Sequence, residues 1–211
     1  METVLPLAGA GFVLGWPMEW VIQRFPHGEG TAPSAVRRWS VAAVTAALFA
    51  ALTVEIGPHS RLLPALLLTA LVVPASAIDL KHRIIPDAIN VPGALLVYAT
   101  AVVAQPDRWA ELLAGGLAGF LFLGLGWVVS PKGMGLGDVK MTLMIGLALG
   151  KYVAIALLAG FGLSMIPSVG ILLVKGLRAR KTAFPFGPFL AFGAMVALLW
   201  GPQIWDWYML G

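Results

Sequence analysis

Two aspartates, Asp79 and Asp138, stand at the ends of long apolar runs, where an ionisable side chain is least expected. A carboxylate placed in hydrocarbon costs about 2.5 to 3.5 kcal/mol even on the lenient insertion scale, so such residues are retained for a reason. Asp79 closes the third run in Ala77-Ile78-Asp79-Leu80-Lys81-His82-Arg83-Ile84-Ile85-Pro86-Asp87, and Asp138 opens a short later one in Gly133-Met134-Gly135-Leu136-Gly137-Asp138-Val139-Lys140. Two carboxylates from distant parts of a chain, delivered to one depth, are what water activation by an aspartyl pair requires: one ionised as base, one protonated as acid. Each has a plainer reading. Asp138 after Gly137 suits a helix N-cap, and Asp79 could be an interfacial partner of Lys81 or Arg83. Gly133, Gly135 and Gly137 alternate just before Asp138, so that stretch can take positive φ and approach a substrate strand closely. Gly135, Gly137, Lys140, Pro86 and Asp87 are therefore expected to shape the site or bind substrate around the two aspartates.

Other chemistries fit less well. Of the ten acidic residues, Glu2, Glu29, Asp107, Glu111 and Asp206 fall in loops or at helix ends and read as solvated charge. Asp87, after Pro86 and before the next apolar run, suits an N-cap, with Asn90 three residues on. Glu55 falls at the far end of its run, and Glu19 lies near Arg24 and Arg37 as pairing partners. His27, His59 and His82 share no helical face at metal spacing, so no metal and no cofactor is expected. The chain has no cysteine, which excludes a disulfide framework, a thiolate zinc site and a cysteine nucleophile. No G-x-S-x-G motif occurs, nor an intramembrane His for a serine protease of the rhomboid kind. Two other classes remain open: an ion-coupled transporter, since carboxylates at broken helices also bind ions, and a non-catalytic membrane scaffold. Against transport, both aspartates fall at one face rather than the midplane, and no inverted repeat relates the halves.

The elements that must position this chemistry are membrane helices. Of the 211 residues 59% are hydrophobic and 11% charged, against roughly 25% charged in an ordinary soluble domain. A spanning helix needs about 20 apolar residues. Windows of that kind occur at 4–23, 40–57, 62–78, 88–104, 111–129, 152–174 and 187–205, with a shorter one at 138–150 needed to keep the loops on consistent faces. The fold class is an all-α membrane protein, a polytopic bundle of about eight helices. A single domain spans 1–211, with a first helix and short loop over 1–39 and the helical core over 40–211. The first window has no basic leader and no small-residue cleavage site and reads as a retained anchor.

The net charge of +4 belongs to loops and sets orientation, not nucleic-acid binding. Arg24, Arg37, Arg38, Lys81, Arg83, Lys132, Lys140, Lys175, Arg178, Arg180 and Lys181 fall on one face; Arg61, Arg108 and Lys151 on the other. The positive-inside rule then puts both termini outside and both aspartates at the cytoplasmic face of an inner membrane.

Gly135-Leu136-Gly137-Asp138-Val139-Lys140 resembles the GxGD signature of the type IV prepilin peptidase family. The stretch from Asp79 through Ile85-Pro86-Asp87 is similar to that family's other motif, an Asp followed after a basic segment by Ile-Pro-Asp. Phe184-Pro185-Phe186-Gly187-Pro188-Phe189-Leu190 resembles the segment leading into its last helix, and Gly15 through Pro26 partly resembles its first-helix motif, with Glu19 where the family has Asn. The resemblance implies an aspartic endopeptidase that removes the short basic leader of prepilins or pseudopilins of type IV pilus or type II secretion systems, with Asp79 and Asp138 as the catalytic pair. Many members also methylate the new amino terminus, using a cytoplasmic insert with two CxxC pairs. Here only residues 25–39 lie between the first two windows and cysteine is absent, so methyl transfer is not expected. Helix dipoles would make Asp138, at a helix start, the ionised base and Asp79, in a last turn, the protonated acid.

Overall fold

The computed structural model describes residues 4–13, 35–131, 134–175 and 185–210. Within them the chain forms α1 (Val4–Val13), α2 (Ala35–Ile56), α3 (Leu62–His82), α4 (Asp87–Ala104), α5 (Trp109–Val129), α6 (Leu136–Leu149), α7 (Val153–Lys175) and α8 (Gly187–Leu210), with 3₁₀ turns at Pro106–Arg108 and Gly150–Tyr152 and no strand among the described residues. The expected all-α membrane bundle is the observed architecture. Six helical stretches are long and apolar enough to cross a membrane, one of them, Leu136–Gly170, taking in both α6 and α7. The rest of the 4–23 window lies outside the described residues, as do Glu19 and Arg24, so the count of about eight is approximate.

Large apolar side chains such as Val54, Leu95, Val103, Leu121, Leu158 and Trp207 are exposed around the bundle. In water such a surface would drive aggregation, whereas against lipid it has no need of cover. Lipid offers no hydrogen bonds either, so hydroxyl groups must be satisfied within the protein. Thr45, Thr69, Ser76 and Thr142 each donate to the carbonyl four residues back, on Val41, Ala65, Val72 and Asp138.

The short helix sits in the middle. α6 has 14 residues, about 21 Å at ~1.5 Å per residue, and it packs against α3, α4, α5 and α8. Val139, Met141, Met144 and Ile145 of α6 meet Val72 and Ile78 of α3, Val97 of α4, Leu123 of α5 and Leu190 of α8 in one core. α6 rises antiparallel to α5 and ends at Gly150, whose φ of 60° turns the chain. α7 then descends along α8, where Ala156 faces Gly193 and Gly160 faces Phe189. The left-handed φ at Gly150 is one that L-residues resist, so a helix that cannot span alone reverses direction inside one apolar stretch.

Small residues let α5 and α6 touch backbone to backbone, as Gly115-x-x-x-Gly119 and Gly146-x-x-x-Gly150 suggest. A Cβ on Gly146 would meet the carbonyl of Gly115 and stand 2.7 Å from Gly116 Cα. Backbone cannot step aside as a side chain can. Gly146→Val should therefore lower the melting temperature in detergent, by a destabilisation of about 1 to 3 kcal/mol or more. Gly162→Ala, where a Cβ would meet nothing within 4 Å, should leave it unchanged or raise it slightly.

Candidate active site

Asp79 lies in the last turn of α3 and Asp138 in the first turn of α6. They are 5% and 8% exposed respectively, and their charges are close enough to interact. The loop that ends α3 holds the first. Arg83 closes the helix in the left-handed conformation, φ 57°, and its N–H returns to the Asp79 carbonyl at 2.7 Å, a C-terminal arrangement that stops the helix one turn beyond Asp79. The Asp79 side chain turns toward α8, where Oδ2 accepts the backbone N–H of Gly187 at 2.8 Å.

Asp138 does not cap its helix. The N-cap of α6 is Gly135, no side chain caps it, and the Asp138 N–H donates to the Gly135 carbonyl at 3.2 Å. Its Oδ1 is buried with no hydrogen-bond partner among the described residues. Such a group is costly inside a protein unless a ligand, a water or its own proton completes it. The expected positive φ before Asp138 is not found at Gly135 or Gly137: among the described glycines only Gly57 and Gly150 have it. What Gly135 and Gly137 supply is room. A Cβ on Gly135 would stand 3.1 Å from Asp138 Oδ2, and one on Gly137 would stand 3.0 Å from the Ile85 Cβ and 3.2 Å from its carbonyl oxygen.

Ile85 is the wedge between the two halves. It packs on Gly137 at one side, while its Cδ1 would lie 3.2 Å from a Cβ on Gly187 at the other. Beside it, Ile78, Ile84, Pro86, Asp87, Ala88, Leu136, Gly137 and Lys140 line a cavity of about 510 Å³. Pro86 is the N-cap of α4. Asp87 is the first helical residue and not the expected cap, since no side-chain capping bond forms there. Instead its Oδ2 receives Lys140 Nζ at 2.6 Å, an ion pair with Asp87 61% exposed that ties the start of α4 to α6. The residues expected to surround the aspartates thus fall at one end of the bundle.

At the opposite end lie Arg61 and Arg108, around a second cavity with Glu55 and Tyr152. Arg108 pairs with Glu111 at 2.7 Å, and Glu55 accepts from Gln203 at 2.9 Å. Among the described residues no three His, Asp or Glu side chains gather as metal ligands. Sequence reasoning passed over Gly187, Ile85 and Asn90. Ile85 and Gly187 lie inside the stretches that resemble the peptidase family, but a backbone N–H and a packing wedge leave no mark in residue type. Asn90 was weighed only as a capping partner, whereas its Nδ2 donates to the Gly137 carbonyl at 3.1 Å.

The profile of the type IV leader peptidase family matches residues 65–170, which include both aspartates, the Ile85-Pro86-Asp87 turn and the Gly135–Lys140 stretch. A prepilin leader peptidase/N-methyltransferase of Bacillus subtilis (strain 168) is 32% identical over 171 residues, covering 79% of this chain and 67% of that protein. The protein of the same name from Aeromonas hydrophila is 33% identical over 188 residues, 84% of this chain and 63% of its own. That from Pseudomonas aeruginosa is 32% identical over 153 residues, 68% and 51%. The chain thus spans about two thirds or less of the length of these relatives, and no solved structure matches it significantly. Since the matched region carries the two buried aspartates and the turns that hold them, and extends over half the chain, the protein belongs to the type IV leader peptidase family.

Proposed function

We propose that this chain is a membrane aspartic endopeptidase that cuts the leader from prepilin or pseudopilin precursors, with Asp79 and Asp138 as the catalytic pair. The observation that carries the reading is the pairing of two buried carboxylates, one of them with an oxygen that has no partner among the described residues, beside an open cavity at one end of the bundle. A carboxylate and a carboxylic acid so placed can share the work of hydrolysis. The ionised member takes a proton from water as its oxygen attacks the scissile carbonyl carbon, and the protonated member gives its proton to the carbonyl oxygen. The aspartate that took the proton from water then gives it to the amide nitrogen, while the other takes back the proton from the diol oxygen, so the C–N bond breaks to an amine and a carboxylic acid. Lys81, Arg83 and Lys140 fall at the same end as the pair, and Arg61, Arg108 and Lys151 at the other. By the positive-inside rule this arrangement supports a cytoplasmic site in a prokaryotic inner membrane.

The deciding experiment incubates the purified chain in detergent with a pilin-like precursor and follows the mass of the product. A mature fragment shorter by the leader is the expected result; intact precursor after prolonged incubation would sink the reading. The same reaction tests methyl transfer. No cysteine is available to build a thiolate zinc site, so labelled S-adenosylmethionine should leave the new amino terminus unlabelled. Label on the mature product would overturn that part alone.

A further inference from the structure

Asn90 stands in the first turn of α4 and is 1% exposed. A primary amide enclosed this fully in a membrane bundle is costly unless it is put to use. Its use is specific. Nδ2 donates to the carbonyl of Gly137 at 3.1 Å, across 47 residues of sequence, and because a carbonyl can only accept, the atom facing it must be the amide nitrogen. The other end of the amide gains nothing, since Oδ1 is buried without a donor among the described residues.

The peptide group that Asn90 grips is the one joining Gly137 to Asp138. The N–H of that same group donates to the Gly135 carbonyl at 3.2 Å. With its oxygen held by α4 and its nitrogen held by the preceding turn, the peptide plane cannot rotate, and that plane sets the direction of the Asp138 Cα–Cβ bond. Thr142 Oγ1 fixes the next carbonyl, on Asp138 itself, at 2.9 Å. Gly137 is also pressed against Ile85, five residues before Asn90, so the turn that carries Ile85 and the helix that carries Asn90 clamp the aspartate loop together.

We propose that Asn90 is a positioning residue of the peptidase: acting through the Gly137–Asp138 peptide group, it aims the Asp138 carboxyl at Asp79. The proposal rests on the peptidase reading for its kinetic consequence but not for its structural one. Asn90 touches no reacting atom, so losing its donor should slow turnover and leave substrate binding alone. A catalytic group displaced by about 1 Å can cost on the order of a hundredfold in rate.

The test uses the full-length protein in detergent with Asn90→Leu and Asn90→Val, which keep a side chain of roughly comparable size and lose the donor. With a pilin-like precursor, kcat should fall about ten- to hundredfold in both while KM stays within about twofold. A second measurement needs no activity. The chain has no cysteine, so Asp138→Cys supplies a single thiol whose alkylation by a small maleimide reports how firmly the loop is held. Adding Asn90→Leu should speed that alkylation at least about fivefold. Leu68→Cys, in the core at 0% exposure, should react no faster with Asn90→Leu than without it. Unchanged kcat in both variants, a rise in KM alone, unchanged alkylation at position 138, or equal acceleration at position 68 would each overturn the proposal. If the parent chain cleaves no precursor, the peptidase reading fails by itself, and alkylation still decides whether Asn90 holds the loop.

Discussion

Asp79→Asn and Asp138→Asn should each reduce cleavage of a pilin-like precursor by about a thousandfold or more. Asparagine keeps the shape of the side chain but can neither take a proton from water nor give one to a carbonyl. Proton transfer by one positioned group contributes about 10² to 10⁴ in rate, and loss of either partner removes both halves of the exchange. Folding should survive both changes. Asp138 Oδ1 has no partner among the described residues to lose, and an asparagine at 79 retains an oxygen for the Gly187 N–H. The measurement pairs single-turnover cleavage with size-exclusion chromatography in detergent, and full activity in either variant would remove the catalytic assignment. Asp87→Asn makes the contrast. It breaks only the pair with Lys140, whose carboxylate is 61% exposed; such a pair is worth about 0 to 1 kcal/mol, so activity should drop no more than about fivefold.

Much of this arrangement could be read from residue order because a membrane leaves few choices. Apolar runs of spanning length, broken by basic loops, announce helices before any packing is known. Asp79 and Asp138 stand out for the same reason, as carboxylates where hydrocarbon makes them expensive. What could not be read was the work of the backbone. Gly187 looks like any helix start, yet its N–H meets Asp79. At Gly135 and Gly137 it is closeness to Asp138 and Ile85, not positive φ, that makes a side chain crowd its neighbours. Asp87 and Asp138 are both of a residue type that favours capping, yet Pro86 and Gly135 hold the N-cap positions and Asp87 pairs with Lys140 instead. The reversal at Gly150 was legible only as a short window that the loops required. Asn90 is marked in the sequence only by its capping distance from Asp87, since its actual partner is a main-chain carbonyl 47 residues away.

Gly187→Pro should impair cleavage about ten- to a hundredfold more than Gly187→Ala. Both substitutions add a Cβ, which would stand 2.9 Å from Asp79 Oδ2 and 3.2 Å from Ile85 Cδ1, and proline also sets its ring Cδ where the N–H pointed. Only proline lacks the N–H that Asp79 Oδ2 accepts at 2.8 Å. Proline is otherwise at home there, because Gly187 is the first residue of α8 and the first helical position tolerates its fixed φ and missing donor. The size of the difference follows from the charge on the acceptor. A hydrogen bond to a charged group contributes about 1.5 to 3 kcal/mol, which is roughly ten- to more than a hundredfold at about 1.4 kcal/mol per decade. That also bears on which aspartate keeps the proton. Helix dipoles, worth about 0.3 to 1 kcal/mol at exposed sites, favour Asp138 as the base, while backbone donors serve both carboxyls, Gly187 for Asp79 and Gly135 for Asp138. The Gly187 donor thus pulls against the dipoles at Asp79, and the position of the shared proton is the balance of the two. If Gly187→Pro and Gly187→Ala lose activity equally, crowding alone explains the glycine and the donor has no role. Neutron diffraction on the intact pair would test the proton directly, and nuclear density for it on Asp79 would give the balance to the dipoles.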